Sequence, residues 1–156
     1  MIRRARISDV KAVQKLVNGF AKKHKIIQRS LNDLYDNIRD ILVYETRGRI
    51  QGTLSLHVSW EDLAEIRSLA VARPYQGRGV GKKLIEAALE DAAVLGINRV
   101  FSLTYIPGYF HKLGFENIDK SELPSKIWTD CLNCPLFPEC EEEAVVIAIK
   151  SKGRKK

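Results

Sequence analysis

Leu69-Ala70-Val71-Ala72-Arg73-Pro74-Tyr75-Gln76-Gly77-Arg78-Gly79-Val80-Gly81-Lys82-Lys83-Leu84 reads as the end of a strand, a turn, a glycine-rich loop and the start of a helix. Pro74 closes the strand because it has no N–H to give to a ladder. Gly77, Gly79 and Gly81 alternate with other residues, which lets the backbone turn sharply and present bare N–H groups. In the helix that follows, Val80, Leu84, Ala87 and Ala88 fall on one face, and Lys82, Lys83, Glu86 and Glu90 on the other. Unpaired N–H groups at the positive end of a helix dipole make an anion site, suited to a phosphate or pyrophosphate.

Two common phosphate fingerprints fail here. The dinucleotide pattern needs a glycine where Lys82 stands, and the Walker pattern needs one more residue between Gly77 and Gly81. The pattern that fits is Gln/Arg-x-x-Gly-x-Gly/Ala, as Gln76-Gly77-Arg78-Gly79-Val80-Gly81. Behind a strand and opening a helix, it resembles the acetyl-CoA loop of the GCN5-related N-acetyltransferases (GNAT family). The resemblance implies an α/β GNAT fold: a central mixed, mostly antiparallel sheet of about six to seven strands flanked by helices. It implies acetyl-CoA as co-substrate, held by Leu69, Ala70 and Val71, by Gln76, Gly77, Arg78, Gly79, Val80, Gly81 and Lys82, and by Phe110.

Length and composition agree. A chain of 156 residues suits one well-buried domain, expected over residues 1–150, with 151–156 as a basic tail. Of the net charge of +7, four charges sit on Lys152, Arg154, Lys155 and Lys156, so the remainder is only modestly basic and nucleic acid is a poor candidate partner. No apolar run approaches a membrane span, and Met1-Ile2-Arg3-Arg4 lacks a signal-peptide core behind it, so a cytoplasmic protein is expected. A homodimer stays open.

Along the chain, residues 2–7 form a first strand, with Ser8 or Asp9 capping a helix that carries Val10, Val13, Leu16, Val17 and Phe20 inward and closes near Lys22–Lys25. Ser30 caps a second helix through Leu31, Leu34 and Ile38. Ile41–Thr46 and Ile50–Trp60 make a hairpin about Arg47-Gly48-Arg49. Alternation buries Leu54, Leu56, Val58 and Trp60 and leaves His57 on a polar, solvated face. After Trp60-Glu61-Asp62 the central strand begins, Gly96 stops the helix, and Asn98–Leu103 and Ala144–Ile149 are further strands, the last apolar enough to be buried on both faces.

The strand before the loop is unusual: Glu65 and Arg67 share a face with Leu63, Leu69 and Val71. Either the two charges pair at the strand's exposed start, or they line a cleft, with a bulge re-aiming one of them. In the cleft, Glu65 would receive the amine proton and Arg67 would grip an anionic substrate. Farther on, Tyr109-Phe110-His111-Lys112-Leu113-Gly114-Phe115 resembles the family's second motif. Many members place there, four residues before the glycine, a tyrosine that protonates the leaving thiolate. This chain has Phe110 at that position, so Tyr109, Tyr105 or water stands as the candidate donor, with core packing the competing role for Tyr109.

Ala64-Glu65-Ile66-Arg67-Ser68-Leu69-Ala70-Val71, Phe101-Ser102-Leu103-Thr104, the Phe110–Phe115 segment and Glu122-Leu123-Pro124-Ser125-Lys126 narrow the resemblance to the acetyltransferase domain of N-acetylglutamate synthases, in a short stand-alone form. This implies transfer of acetyl to the α-amine of an amino acid, L-glutamate, in arginine biosynthesis. Glu65 is then the carboxylate at the amine, and Arg67 and Lys126 the cations for the two glutamate carboxylates. The amine attacks the thioester directly, and a backbone N–H between Leu69 and Val71 stabilises the charge on the carbonyl oxygen. Cys131, Cys134 and Cys140 admit three readings: a metal site short of one thiol ligand, a disulfide, or packed thiols. Another amine as acceptor, or a non-catalytic module sensing acetyl-CoA or metal, are the competing functions.

Overall fold

The structure is a computed structural model describing residues 1–21, 29–123 and 143–150. Its strands are β1 (Ile2–Arg4), β2 (Ile41–Thr46), β3 (Arg49–Trp60), β4 (Leu63–Val71), β5 (Arg99–Thr104), β6 (Glu116–Ile118) and β7 (Glu143–Ala148). The helices are α1 (Val10–Ala21), α2 (Leu31–Asp36), α3 (Val80–Leu95) and α4 (Pro107–His111). One seven-stranded sheet runs in the order β1-β2-β3-β4-β5-β7-β6. Every neighbouring pair is antiparallel except β4 and β5. The mixed, mostly antiparallel sheet expected from the sequence is therefore present. Among the described residues no helix is long and apolar enough to cross a membrane.

Local chemistry explains most boundaries. Arg47 and Gly48, with φ of 54° and 74°, form the two-residue turn that matches the twist of the β2–β3 hairpin. Ser30 accepts the Asp33 N–H at 3.0 Å and caps α2. Gly96, at φ 92°, ends α3, while the Ile97 N–H returns to the Ala92 carbonyl at 2.9 Å. Gly52 lets α3 lie directly on β3, since a Cβ there would sit 3.1 Å from Val80 Cγ1 and 3.2 Å from Leu84 Cδ1.

The apolar face of α3 packs with Leu54, Leu56, Ala64, Ile66, Val100 and Phe110 in one core. On the opposite sheet face, Val10, Val13 and Val17 of α1 and Leu34 of α2 cover Ile41 and Val43. Leu63, Phe101, Leu123 and Ala144 form a third cluster.

Several expectations need correction. β1 is shorter than residues 2–7, because the chain turns through Ile7–Asp9 before α1. Asp9 caps that turn from within, its carboxylate accepting the Arg6 N–H at 2.7 Å. Val58 and Trp60 are 46% and 56% exposed: they lie at the β3–β4 turn, where the ladder slips, and alternation cannot say how far a covering element reaches. His57 is not merely solvated, since its Nδ1 lies 2.8 Å from Asp40 Oδ2. β7 is buried at Ala144 and Val145 but only half-buried at Val146 and Ile147. The end of α1 near Lys22–Lys25 lies outside the described residues.

Asp9 also accepts Arg3 Nη1 at 2.7 Å and Nη2 at 3.2 Å, while Arg3 Nε binds Glu45 at 2.7 Å. The Arg3 hydrogen bonds hold the Asp9 carboxyl below its usual range against the opposing effect of burial. A carboxyl depressed in the folded state stabilises above its unfolded pKa, near about 4, and loses that contribution as pH falls through the folded value. Asp9→Asn is therefore expected to lower stability by about 2 kcal/mol at neutral pH. The gap to the unsubstituted protein should close on acidification below about pH 4, read by thermal melting across pH.

Candidate active site

β4 and β5 stay paired only at Leu63–Arg99, Ala64–Val100 and Glu65–Phe101, and then separate. On its other edge, β4 carries a bulge. The ladder passes from Thr53–Ala70 to Ser55–Arg67, so Ser68 and Leu69 face a single β3 residue, and Ser68 takes the left-handed conformation at φ 55°. Beyond the last β4–β5 pair, the Ile66 carbonyl has lost its strand partner and accepts the Ser102 hydroxyl at 3.0 Å. The separation opens a cleft of ≈ 720 Å³ between β4, β5, α3 and α4, in the size range of sites for small molecules and cofactors.

One wall is backbone. The Ala72 N–H donates to the Gln51 carbonyl at 2.8 Å, so residues of that parity face β3, and Leu69 and Val71 turn their N–H groups into the opening. The Val71 carbonyl on that side takes the Gln76 side-chain amide at 2.9 Å. Gly77 and Gly79 adopt φ of 77° and 81°, and no acidic residue stands in the first turn of α3. The Val80, Gly81 and Lys82 N–H groups are thus at the helix's positive end, where an anion is favoured. Of the residues expected at the cofactor, Leu69, Ala70, Val71, Gln76, Gly77, Gly79, Val80, Gly81, Lys82 and Phe110 all line the cleft. Arg78 does not; its guanidinium sits 5.4 Å from the centre of the Tyr75 ring.

At the inner end, Glu65 and Arg67 are both present in the cleft. Arg67 Nε donates to Glu65 Oε1 at 2.8 Å, with side chains 17% and 9% exposed. The two charges thus pair, and they do so inside the cleft and not at an exposed strand end. The bulge immediately after Arg67 lets the strand carry charges here and apolar residues on either side.

Tyr109 crosses toward α3, where its hydroxyl occupies the space that a Cβ at Gly81 would need. Burial raises its pKa. Phe110 is 2% exposed and meets Phe115 edge-on with ring centres 5.1 Å apart, so it is core as well as cleft wall. Tyr105 lines the cleft too.

Arg29 and Phe20 also line the cleft, and sequence reasoning missed both. Arg29 is fixed by its backbone: its N–H donates to Asn18 Oδ1 at 2.9 Å, and its carbonyl accepts from Asn18 Nδ2 at 3.1 Å and Gln14 Nε2 at 3.2 Å. The only local signal was an arginine immediately before the capping Ser30. Lys126, Cys131, Cys134 and Cys140 lie outside the described residues. Among the described residues, no group of three or more His, Cys, Asp or Glu side chains is placed to hold a metal.

Known proteins are similar to this chain in sequence and fold. The chain is 37% identical over 145 residues to an uncharacterized N-acetyltransferase of Chlorobaculum tepidum, covering 93% of this chain and 94% of that one. It is 34% identical over 133 residues to an amino-acid acetyltransferase of Mycobacterium tuberculosis, covering 83% and 76%. The fold superposes on Rv2747 of Mycobacterium tuberculosis, solved in complex with CoA and NLQ, with a TM-score of 0.83 at 28% identity, covering 96% of this chain and 99% of that one. The sequence model of the acetyltransferase (GNAT) family matches residues 12–115. With the parted strands and the glycine loop, these matches establish that the chain belongs to the GNAT family, as an acetyl-CoA-dependent N-acetyltransferase.

Proposed function

We propose that this enzyme acetylates the α-amine of an amino acid, L-glutamate, and so makes N-acetylglutamate for arginine biosynthesis. The observation that carries the reading is a buried carboxylate, Glu65, sharing one cleft with two arginines, Arg67 and Arg29. A polycationic acceptor would want acidic walls; an amine flanked by carboxylates wants a base beside cations. The relative named amino-acid acetyltransferase points the same way.

The cleft suits acetyl-CoA. The glycine loop and the first turn of α3 would hold its phosphates, and the Leu69 and Val71 N–H groups would meet the thioester end. Acetyl-CoA supplies the activated acyl group. Glu65 takes the proton of the acceptor ammonium, and the freed amine forms the new N–C bond at the thioester carbonyl. The C–S bond breaks and the thiolate takes up a proton, for which Tyr109 is the candidate donor on the α3 side and Tyr105 the alternative; the second proton lost by the new amide nitrogen restores that donor.

The test is thiol release from acetyl-CoA against a panel of amino acids, amines and peptides, with products identified by mass. Glutamate should be preferred; preference for another amine would discard the pathway and keep the chemistry. Replacing Arg29 with Leu should raise the KM for glutamate roughly tenfold, the loss of one charge-assisted hydrogen bond, with little change in the KM for acetyl-CoA. An unchanged glutamate KM would remove Arg29 from the acceptor site.

A further inference from the structure

In the β3–β4 register, His57 stands opposite Glu65. Their side chains therefore rise from the same sheet face, with Cβ atoms about 5 Å apart. Asp40, from the turn Ile38–Asp40, binds His57 Nδ1 at 2.8 Å. With Nδ1 held by a carboxylate, the proton of the neutral ring sits there, and Nε2 carries the lone pair. Beside this pair is a small cavity of ≈ 20 Å³ bounded by Arg67, Ser68, Ser55, His57 and Asp40, room for about one water molecule. It shares Arg29, Arg67 and Ser68 with the main cleft. Exposure rises from Glu65 to the pair: the Glu65 side chain is 9% exposed, Asp40 26% and His57 34%.

The reaction requires a route by which one proton reaches solvent. An ammonium acceptor and a thioester become an amide, a free thiol and one proton released to solvent. Glu65 has taken that proton, yet it is buried and bound to Arg67, and it must be emptied before the next turnover. We propose that the Asp40–His57 pair empties Glu65, passing the amine proton from its carboxyl to His57 Nε2, directly or through one water, and out to solvent on the α2 side. Asp40 stabilises the imidazolium while it lasts. His57 thus acts through Glu65 as a positioning and relay residue and touches no substrate. Among the described residues, the charged groups facing it are Asp40 from its turn, Asp33 and Arg29 from the α2 region, and Glu65 and Arg67 from β4.

The inference rests on Glu65 as the base, and the experiment separates the two. Turnover by the unsubstituted full chain with its best acceptor comes first; no turnover with any amine would overturn both. His57→Gln keeps a donor for Asp40 but cannot carry a proton. It should lower kcat about tenfold near neutral pH with both KM values unchanged, and added imidazole should restore the rate in the variant but not in the unsubstituted enzyme. Asp40→Asn should lower kcat less, with the same KM pattern, and provides the measurement if His57→Gln melts early. Unchanged kcat in both variants, or a loss that raises KM and ignores imidazole, would overturn the relay while leaving the acetyltransferase reading in place.

Discussion

Replacing Glu65 with Gln is expected to lower kcat by about 10²- to 10⁴-fold, the usual contribution of a positioned general base. Gln keeps the size of the side chain and can still meet Arg67, whose Nε now binds the Glu65 carboxylate at 2.8 Å, but it accepts no proton at the pH of the assay. Acetyl-CoA affinity should hold, because the cofactor candidates are the β4 backbone and the α3 loop, on the far side of the bulge from Glu65. Turnover by thiol release and binding by calorimetry give the two numbers. An equal loss of both would show that the carboxylate supports the cleft and does not perform the chemistry. A thermal melt controls for the cost of losing the mostly buried Arg67–Glu65 ion pair.

Replacing Gly79 with Val should weaken acetyl-CoA binding by about 10- to 100-fold. The cause is conformational. Gly79 precedes α3 at φ 81°, where a β-branched residue is strongly disfavoured. A Cβ at Gly79 would meet no atom within 4 Å, so the substitution is not blocked by packing. Relaxation of φ would instead rotate the peptide leading into Val80 and misdirect the N–H groups at the helix start, each a lost charge-assisted bond to phosphate. Calorimetry with CoA measures this directly. Unchanged affinity would mean that the loop does not hold the anion. Folding should survive, because the α3 face in the core begins at Val80 and Leu84 and is unaltered.

The two substitutions probe what was legible at different levels. The Gly79 loop was readable in one dimension, since glycine spacing, Pro74 and the amphipathic helix are all local. The same holds for the Arg47-Gly48 hairpin, the Ser30 cap and the Gly96 stop. Glu65 was readable as an oddity, a charge in a strand that should be central, but its setting was not. Whether Glu65 and Arg67 pair at an exposed end or in a cleft depends on where β5 leaves β4, and no period in either strand records that.

Misreadings share this origin. Val58 and Trp60 obey perfect alternation, yet at the β3–β4 turn they stay 46% and 56% exposed. His57 looked solvated because Asp40, its partner, lies seventeen residues away on a turn. Arg29 went unnoticed because its place in the cleft is set by Asn18 and Gln14 of the preceding helix. β6, three residues long, is too short to show a pattern and exists by pairing with β7.

Sequence alone determined the order of the longer strands and helices, the anion loop, the family resemblance and the identity of the buried carboxylate. These follow from short-range physics: the φ preference of glycine, the missing N–H of proline, and apolar periods that a few neighbouring residues suffice to set. Only the tertiary structure decided that β4 and β5 part after Glu65, that Ser68 bulges to re-aim the strand, that Tyr109 reaches Gly81 and that His57 stands across from the base. Each of these joins residues brought together by the packing of the whole sheet, and that packing minimises a sum over long-range contacts that no local segment carries.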